Sequence, residues 1–536
     1  MRILILLLAA GTALSAQTSV SSADTVLVSR ILRAEDRRDS TDRALVEGVA
    51  SADGRVALLA RRALERMRDA RFTGRDSLGM LPAPPAYADP AWRPRYRALD
   101  PKKIDCAALR LALTDSSWHV RLRAADLVTA SCSADTVLVK SLRGWLASSG
   151  RRSRTKDGAA WQPAAHALVA LARVSPVDAR NQLASFINNP SPWVRSYAAR
   201  AAAVLEDKRA LRFLARDRND NVKEAAIDAL AKLTGHQHDD LFLRALEARG
   251  YQAVRAGAIA LKRGTSRREI RRAAIAAAFR LRRDSSETSR DARLEVMARI
   301  AEFAEAADAS AVTALATDFD CEVSNAAAAI ARKLGVLVDA RCAPLTRTLP
   351  ADAVRLALGD EVRLRVVMAP ASGGESFTVR LRGDVAPIMA ARILALVRSR
   401  YYDGLAWHRV EPDFVIQGPS RGDNEYVGHP RFLRDELGTV PHARGTVGMS
   451  TRGHDTGDAQ WFVNLKDNLR LGRDYTVFGE IIDGIDVADG VLEGDVIQRI
   501  EVVRERQGAQ TATAKNEARE GARRTTTVTL TTTSGQ

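Results

Sequence analysis

A short phrase recurs from about residue 50 to residue 335 and limits the possible folds more than any other feature of the chain. It consists of a turn or acidic residue, a short gap, a Val and then an Ala-rich amphipathic run. The separations of its marker valines fit single or double steps of about 28–37 residues, enough for two antiparallel helices. We expect the turn residue to start the second helix of each pair. The markers are Val56, Val120, Val194, Val222, Val254 and Val323.

One amphipathic hairpin cannot bury its apolar stripe alone, so such units stack into a superhelix. The phrase resembles HEAT-type repeats, which implies an all-α solenoid over residues 17–350. The resemblance also implies a concave face that binds a protein partner, and no catalytic activity in this region. Trp118 and Trp193 each stand before a marker Val. Packing between repeats and exposed anchoring on the binding face both remain open for these two side chains.

The hydrophobic period changes at Val362, from that of a helix to that of a strand. Residues 362–368 and 377–381 alternate between apolar and polar side chains, which predicts two strands. A helix is predicted from Pro387 to about Arg400, with the proline in its first turn. Short strands separated by Gly-rich turns follow. This order is what a closed β-barrel plugged by helices needs.

The same region carries five sequence blocks in order: YYDGLAWHRV at 401–410, FVIQG at 414–418, GTVGMS at 445–450, QWF at 460–462 and YTVFG at 475–479. Together they resemble the cyclophilin family over residues 355–505. The resemblance implies a closed eight-stranded barrel capped by helices. It also implies peptidyl-prolyl cis/trans isomerase activity on proline-containing polypeptides, with no metal and no cofactor.

The resemblance further assigns roles to individual residues. Arg409 would be the cationic donor that stabilises the twisted prolyl amide, and Gln417 would orient it. His408 would be a buried structural residue, because rotation about the amide moves no proton. The alternative for Phe414 and Phe462 is that they belong only to the barrel core. The implied substrate-binding residues are Phe414, Val415, Ser450, Thr451, Gln460, Phe462, Leu471 and Tyr475.

Several positions depart from the family pattern. Val415 replaces the Met of the apolar cup, and Arg470 replaces its Trp. Tyr475 replaces the usual His, and residues 450–452 read Ser-Thr-Arg instead of Ala-Asn-Ala. The proposed catalytic pair is unaltered, so these departures bear on the choice of substrate.

The first sixteen residues have the pattern of a secretory signal peptide. Arg2 supplies the positive charge, an apolar run follows, and small residues precede Gln17. We therefore expect an exported protein, periplasmic or secreted, with no transmembrane span in the mature chain. In an oxidising compartment, Cys106–Cys132 and Cys321–Cys342 form the simplest of three possible disulfide pairings. Free buried thiols are the alternative.

The net charge of +16 belongs to the helical region. Residues 354–505 carry 19 basic against 23 acidic side chains, whereas residues 1–353 carry 57 against 40. Export argues against nucleic acid as the partner. Anionic lipid, polysaccharide or acidic proteins remain open, beside an Arg-rich solvated surface. Residues 506–536 are rich in Thr, Gly and charge, which predicts a disordered tail.

Taken together, these features predict an exported isomerase whose helical arm binds protein clients. The alternative is a non-catalytic scaffold of the cell envelope, in which the cyclophilin-like domain only binds proline-containing segments.

Overall fold

The computed structural model describes residues 22–68, 86–147, 160–438 and 440–503. The predicted signal peptide (1–16) and tail (506–536) lie outside these ranges. The N-terminal part is helical: α1 (Ser22–Arg37), α2 (Arg43–Val49), α3 (Gly54–Arg68), α4 (Arg93–Ala98), α5 (Cys106–Ala112), α6 (Trp118–Leu127), α7 (Thr136–Ala147), α8 (Gln162–Val174), α9 (Pro176–Ile187), α10 (Pro192–Val204), α11 (Lys208–Leu214), α12 (Asp220–Thr234), α13 (Asp239–Leu246), α14 (Tyr251–Ala260), α15 (Arg267–Arg282), α16 (Arg290–Phe303), α17 (Ala309–Leu315) and α18 (Cys321–Lys333).

In its described residues, the C-terminal part combines three α-helices with one sheet. The helices are α19 (Ala353–Ala357), α20 (Pro387–Arg398) and α21 (Ile485–Asp489). The strands are β1 (Arg363–Met368), β2 (Ser376–Leu381), β3 (Arg409–Val410), β4 (Val415–Gly418), β5 (Thr446–Met449), β6 (Trp461–Asn464), β7 (Val477–Asp483) and β8 (Ile497–Val503). We call residues 362–503 the C-terminal domain, and α4–α18 the arm.

The arm is a stack of helical hairpins, as the repeated phrase predicts. Its even-numbered helices from α6 to α18 pack one on the next and form an inner layer. The marker valines are buried near the starts of α3, α6, α10, α12, α14 and α18. At two of the starts the turn residue caps the helix, because Asn219 accepts from the backbone N–H of Val222 and Asp320 accepts from that of Val323.

The eight strands form one antiparallel sheet in the order β3-β4-β6-β5-β7-β2-β1-β8. The prediction of a closed barrel is wrong: within the described residues no ladder joins the edge strands β3 and β8. Among the described residues, the seam is crossed by the isolated bridge Ala406–Val496 and by backbone hydrogen bonds between residues 404–407 and 494–497, ahead of β3. β3 is only two residues long and is followed closely by Pro412, which has no N–H to donate. The edge strand is thus too short to pair with β8.

The first three helices pack against the sheet. Val28, Ile31 and Val56 belong to the same buried apolar cluster as Phe377 on β2 and Trp407 beside β3. The buried residues of the arm form a separate cluster that runs from Leu99 to Ala331. The N-terminal hairpin therefore contributes to the core of the C-terminal domain, although it carries the repeat phrase of the arm.

The inner layer of the arm lies against the C-terminal domain. Tyr197 on α10 donates to the Glu493 carboxylate at 2.7 Å, and Asn221 on α12 donates to the Gly422 carbonyl at 3.0 Å. On α16, Asp291 pairs with Arg452 at 3.1 Å. Part of the face predicted to bind protein is thus covered by another part of the same chain.

Each cysteine lies beside its neighbour in sequence. The Sγ atoms of Cys106 and Cys132 are 2.02 Å apart, and those of Cys321 and Cys342 are 2.07 Å apart. Both links are local and tie the start of an arm helix to a nearby turn. Among the described residues, no helix is both long and apolar enough to cross a bilayer.

Candidate active site

The side chains of Arg409 and Gln417 meet across two neighbouring strands. The two residues are directly paired in the β3–β4 ladder, which brings their side chains close together on one face. Arg409 Nη1 donates to Gln417 Oε1 at 3.0 Å, and Gln417 Nε2 donates to Ser450 Oγ at 2.9 Å. The guanidinium side chain is 41 % exposed. It is therefore oriented by the sheet while remaining available to a ligand.

An apolar cup lies beside this pair, on the sheet face opposite to the main core. Its buried members are Val415, Phe462 and Leu471, and the partly exposed Phe414 and Tyr475 complete it. The alternation of the strands explains the separation, because the neighbours of Val415 and Phe462 along each strand point into the main core. The alternative that Phe462 is simply core does not fit this arrangement.

The ring of Phe462 requires a glycine on the next strand. Gly448 is its partner in the β5–β6 ladder. A Cβ at position 448 would lie 2.4 Å from Phe462 Cζ, which is far inside van der Waals contact. The glycine in the GTVGMS block thus leaves room for the floor of the cup.

The remaining predicted substrate-binding residues lie at the rim or behind it. Ser450 and Thr451 are half-buried at the end of β5, with Ser450 bonded to Gln417. Gln460 is 2 % exposed, and its amide nitrogen donates to the carbonyls of Asn424 and Val427. The structure thus uses Gln460 to hold the 420–428 loop beside the site.

Comparisons with known proteins agree with this geometry. Residues 366–508 match the family model of the cyclophilin type peptidyl-prolyl cis-trans isomerase/CLD, and residues 149–231 match that of HEAT repeats. Peptidyl-prolyl cis-trans isomerase B of Bacillus subtilis is 31 % identical over 131 residues, which cover 92 % of that protein and 24 % of this chain. The chain belongs to the cyclophilin-type peptidyl-prolyl isomerases. Both resemblances inferred from the sequence are confirmed.

Two further similarities extend the comparison. A peptidyl-prolyl cis-trans isomerase of Helicobacter pylori is 33 % identical over 119 residues, covering 73 % of that protein and 22 % of this chain. The crystal structure of a Cryptosporidium parvum cyclophilin aligns over its whole length with 27 % of this chain, at 20 % identity and a TM-score of 0.25. That score is too low to add an argument.

Beneath the cup of the cyclophilin domain lies a polar network that the motifs do not reveal. His442 stacks on Phe462 with ring centroids 5.7 Å apart. Its Nδ1 accepts from Asn464 Nδ2 at 3.1 Å, and its Nε2 donates to the Tyr475 carbonyl at 3.0 Å. Asn468 Nδ2 donates to Asn464 Oδ1 at 2.8 Å. The network therefore fixes both the floor and the Tyr475 side of the cup.

His442 is uncharged in this arrangement. Burial lowers its pKa to about 4, opposed only by the hydrogen bond to the Tyr475 carbonyl. The imidazole donates at one nitrogen and accepts at the other, which only the neutral ring can do. The sequence offered only a weak signal for this role, because His442 lies three residues before Gly445 and outside every block.

His408 is also neutral. Burial, and secondarily the charge of Arg409, lower its pKa to about 4. Neither ring nitrogen has a hydrogen-bond partner among the described residues. This agrees with a structural residue better than with a general base, which would need a partner to receive or relay a proton.

Two arginines at positions that depart from the family pattern surround the site. Arg470 lies over the Phe414 ring at 5.1 Å, while Arg409 lies over the same ring at 5.9 Å. Arg452 donates to the Glu425 carbonyl and pairs with Asp291 of the arm at 3.1 Å. The substitutions thus add positive charge at the cup and connect the rim to the arm.

Proposed function

We propose that the chain is an exported foldase that isomerises X-Pro bonds through Arg409 and Gln417. Rotation of a prolyl amide breaks its resonance against a barrier of about 18–20 kcal/mol. The twisted nitrogen gains a lone pair, which a fixed cationic donor stabilises more than it stabilises either planar form. Arg409 would be this donor, while the cup formed around Phe462 would hold the proline ring.

The observation that carries the proposal is the bond between Arg409 Nη1 and Gln417 Oε1, made at the edge of the apolar cup. A guanidinium in free solution would reorganise during rotation, whereas this one is held by its strand partner. The reaction transfers no proton and makes or breaks no covalent bond, because it is a rotation about the prolyl amide bond.

Replacing Arg409 with Ala in the full chain should lower kcat/KM for a proline peptide by about 10²-fold, the scale of losing one preorganised donor. Arg409→Lys should recover only part of the loss, because an ammonium keeps the charge without the rigid fork. The measurement is NMR exchange between the cis and trans peptide. Arg499→Ala on β8 is the matched control, since the hydrogen bonds of that exposed arginine go to nearby residues of its own strand.

Equal activity of the wild-type and Arg409→Ala proteins would contradict the catalytic role. Binding of the proline peptide without turnover by either protein would instead favour the scaffold that only docks proline-containing segments.

Export is supported by the signal-like first sixteen residues and by two sequence-local pairs of cysteines, which suit an oxidising compartment. Mass spectrometry of the protein recovered from the cell envelope should give a mature N-terminus at Gln17. Recovery of chains that begin at Met1, only from the cytoplasm, would contradict export.

Client binding by the arm is supported by the position of its inner layer. Helices α6 to α14 lie beside the edge of the cyclophilin domain that carries Arg409. A polypeptide bound there would raise the local concentration of its prolines at the cup.

A further inference from the structure

A cavity of about 620 Å³ lies between the inner layer of the arm and the cyclophilin domain. We call it the chamber. The even-numbered arm helices from α4 to α14 form one wall, and residues 408–412, 423–426 and 492–493 form the other. Arg409 lines the chamber and also lies over Phe414 at the cup. A proline in the cup would therefore place adjoining residues of its chain in the chamber.

The lining of the chamber is acidic, although the whole chain is basic. Seven carboxylate side chains and three arginines line it. The carboxylates are contributed by both walls, so the negative charge surrounds the cavity. Their residues are Asp126, Glu224, Asp228, Glu411, Asp423 and Glu425, together with Glu493.

Two of these carboxylates have no bonded partner in the part of the chain that the structure describes. Among the described residues, no hydrogen bond or ion pair reaches the side chain of Asp228 on α12 or that of Asp423 in the opposite wall. Burial raises the pKa of Asp423 to about 6. Burial also raises the pKa of Asp228, against the lowering effect of Lys232 and Arg255. A half-buried carboxylate without a bonded cation is unfavourable, and a cation on the ligand would relieve it.

Other carboxylates of the chamber also favour the binding of a cation. Burial raises the pKa of Glu224, and the charges of Asp228 and Glu425 raise it further, against Gln252 and Arg255. Their mutual repulsion shows that these acidic groups lie close together in one field. A positive side chain entering the chamber would meet several of them at once.

Two uncharged groups extend the same surface. His408 lines the chamber as a buried, neutral ring whose nitrogens lack partners among the described residues. Trp193, one of the tryptophans before a marker Val, lines it too and is half-buried. Polar and aromatic groups beside an acidic pocket suit an extended peptide with a long cationic side chain.

We propose that the chamber is a substrate site which selects polypeptides carrying a lysine or arginine close to the isomerised proline, with its acidic lining, including Asp228 and Asp423, attracting the cation. The proposal rests on the proposed function, because it concerns residues that flank a proline held in the cup. In this arrangement the arm forms one wall of the site that determines specificity.

The test uses the full mature chain and proline peptides that differ at one position. That position, two residues before or two residues after the proline, carries Lys, Gln or Glu. The quantity measured by NMR exchange is the ratio of kcat/KM for the Lys peptide to that for the Gln peptide. We expect a ratio of about five or more on one side of the proline, the effect of one partly desolvated ion pair.

The double variant Asp228→Asn/Asp423→Asn should lower this ratio, because it removes two of the carboxylates that line the chamber. Asp240→Asn is the matched control, because Asp240 is a 65 % exposed carboxylate on the outer helix α13. It should leave the ratio unchanged. In the wild-type protein the ratio should also fall between about 50 and about 300 mM salt, as screening weakens the pair. This measurement keeps the proposal testable if the double variant folds poorly.

Equal kcat/KM for Lys, Gln and Glu peptides in the wild-type protein would overturn the proposal. So would an unchanged ratio in the folded double variant. Either result, combined with a large loss in Arg409→Ala on the Gln peptide, would leave the catalytic role intact and reject the chamber alone. No difference between Arg409→Ala and wild type would reject the proposed function itself.

Discussion

At the scale of single residues, the cup depends on polar side chains that lie behind its apolar lining. His442 lies against Phe462 and bridges Asn464 to the Tyr475 carbonyl. Its neutral state is part of the structure, because protonation of Nδ1 would place a proton against the amide of Asn464. The folded protein should therefore resist protonation of this ring.

This resistance makes the stability of the protein depend on pH. The pKa of His442 is lowered from about 6.5 in the unfolded chain to about 4. Its neutral form contributes fully above about pH 6.5, and the contribution is lost as the pH falls toward 4. The variant His442→Gln has no titrating ring at this position and so lacks this pH-dependent contribution to stability. The difference in unfolding free energy between wild type and variant should therefore decrease by about 2 kcal/mol between pH 7.5 and pH 5.

Urea denaturation at the two pH values measures this difference. His408 and His429, whose pKa values are also lowered to about 4, are present in both proteins and cancel. A difference that is independent of pH would contradict the neutral role of His442.

At the scale of elements, helix α3 attaches to the cyclophilin domain through a row of arginines. Arg55, Arg62 and Arg66 recur at helical spacing and donate to backbone carbonyls of the C-terminal part of the chain. Burial lowers the pKa of Arg62 to about 10. Part of the basic excess in the N-terminal region thus serves contacts within the chain, and the open choice between a lipid partner and a solvated surface does not apply to these arginines.

Arg66 makes more buried bonds than the other two arginines of the row. It donates to the carbonyls of Leu437 and Val385 and pairs with Glu35 at 2.8 Å, with both side chains 2 % exposed. Arg66→Ala should destabilise the protein by about 3–5 kcal/mol, because it leaves a buried carboxylate without its partner. Arg61→Ala on the exposed face of α3 should change stability by less than about 0.5 kcal/mol.

Chemical denaturation of the two variants measures this contrast. Similar stability of Arg66→Ala and Arg61→Ala would show that α3 is not bound to the cyclophilin domain through these bonds.

At the scale of the whole molecule, the arm and the cyclophilin domain share buried charged groups. The Asp489 carboxylate accepts from Arg93 of the arm at 2.7 Å and from Arg444 at 2.6 Å. Arg93 is fully buried, and its Nη1 also donates to the Leu465 carbonyl. Separation of the two parts would expose these groups and leave others unpaired, so we expect them to unfold together.

Asp489→Asn should lower the stability of the whole chain by about 3–5 kcal/mol, because the buried Arg444 loses its counterion and the buried Arg93 keeps only Asp89. Calorimetry should show one transition that moves as a unit to lower temperature. Asp486→Asn, an exposed position on the same helix α21, should leave the transition nearly unchanged. Two separate transitions, with only one of them shifted, would contradict the coupling.

The sequence by itself determined the parts of this protein. The marker valines predicted the helical hairpins, and the ordered blocks predicted the cyclophilin domain with Arg409, Gln417 and the cup. These signals are local, because a few neighbouring residues are enough to show which face of a helix or strand is apolar. The network around His442 escaped prediction because its members come together only when separate strands and loops pack.

The tertiary structure alone decided how the parts are joined. It left the sheet open at the short strand β3, placed α1–α3 on the core of the cyclophilin domain, and turned the inner layer of the arm toward Arg409. The chamber exists only because of that last arrangement. Its position depends on small rotations summed over many repeats, and on arginines that meet carbonyls hundreds of residues away. Neither the summed rotations nor these long-range bonds produce a periodic pattern in the amino-acid sequence.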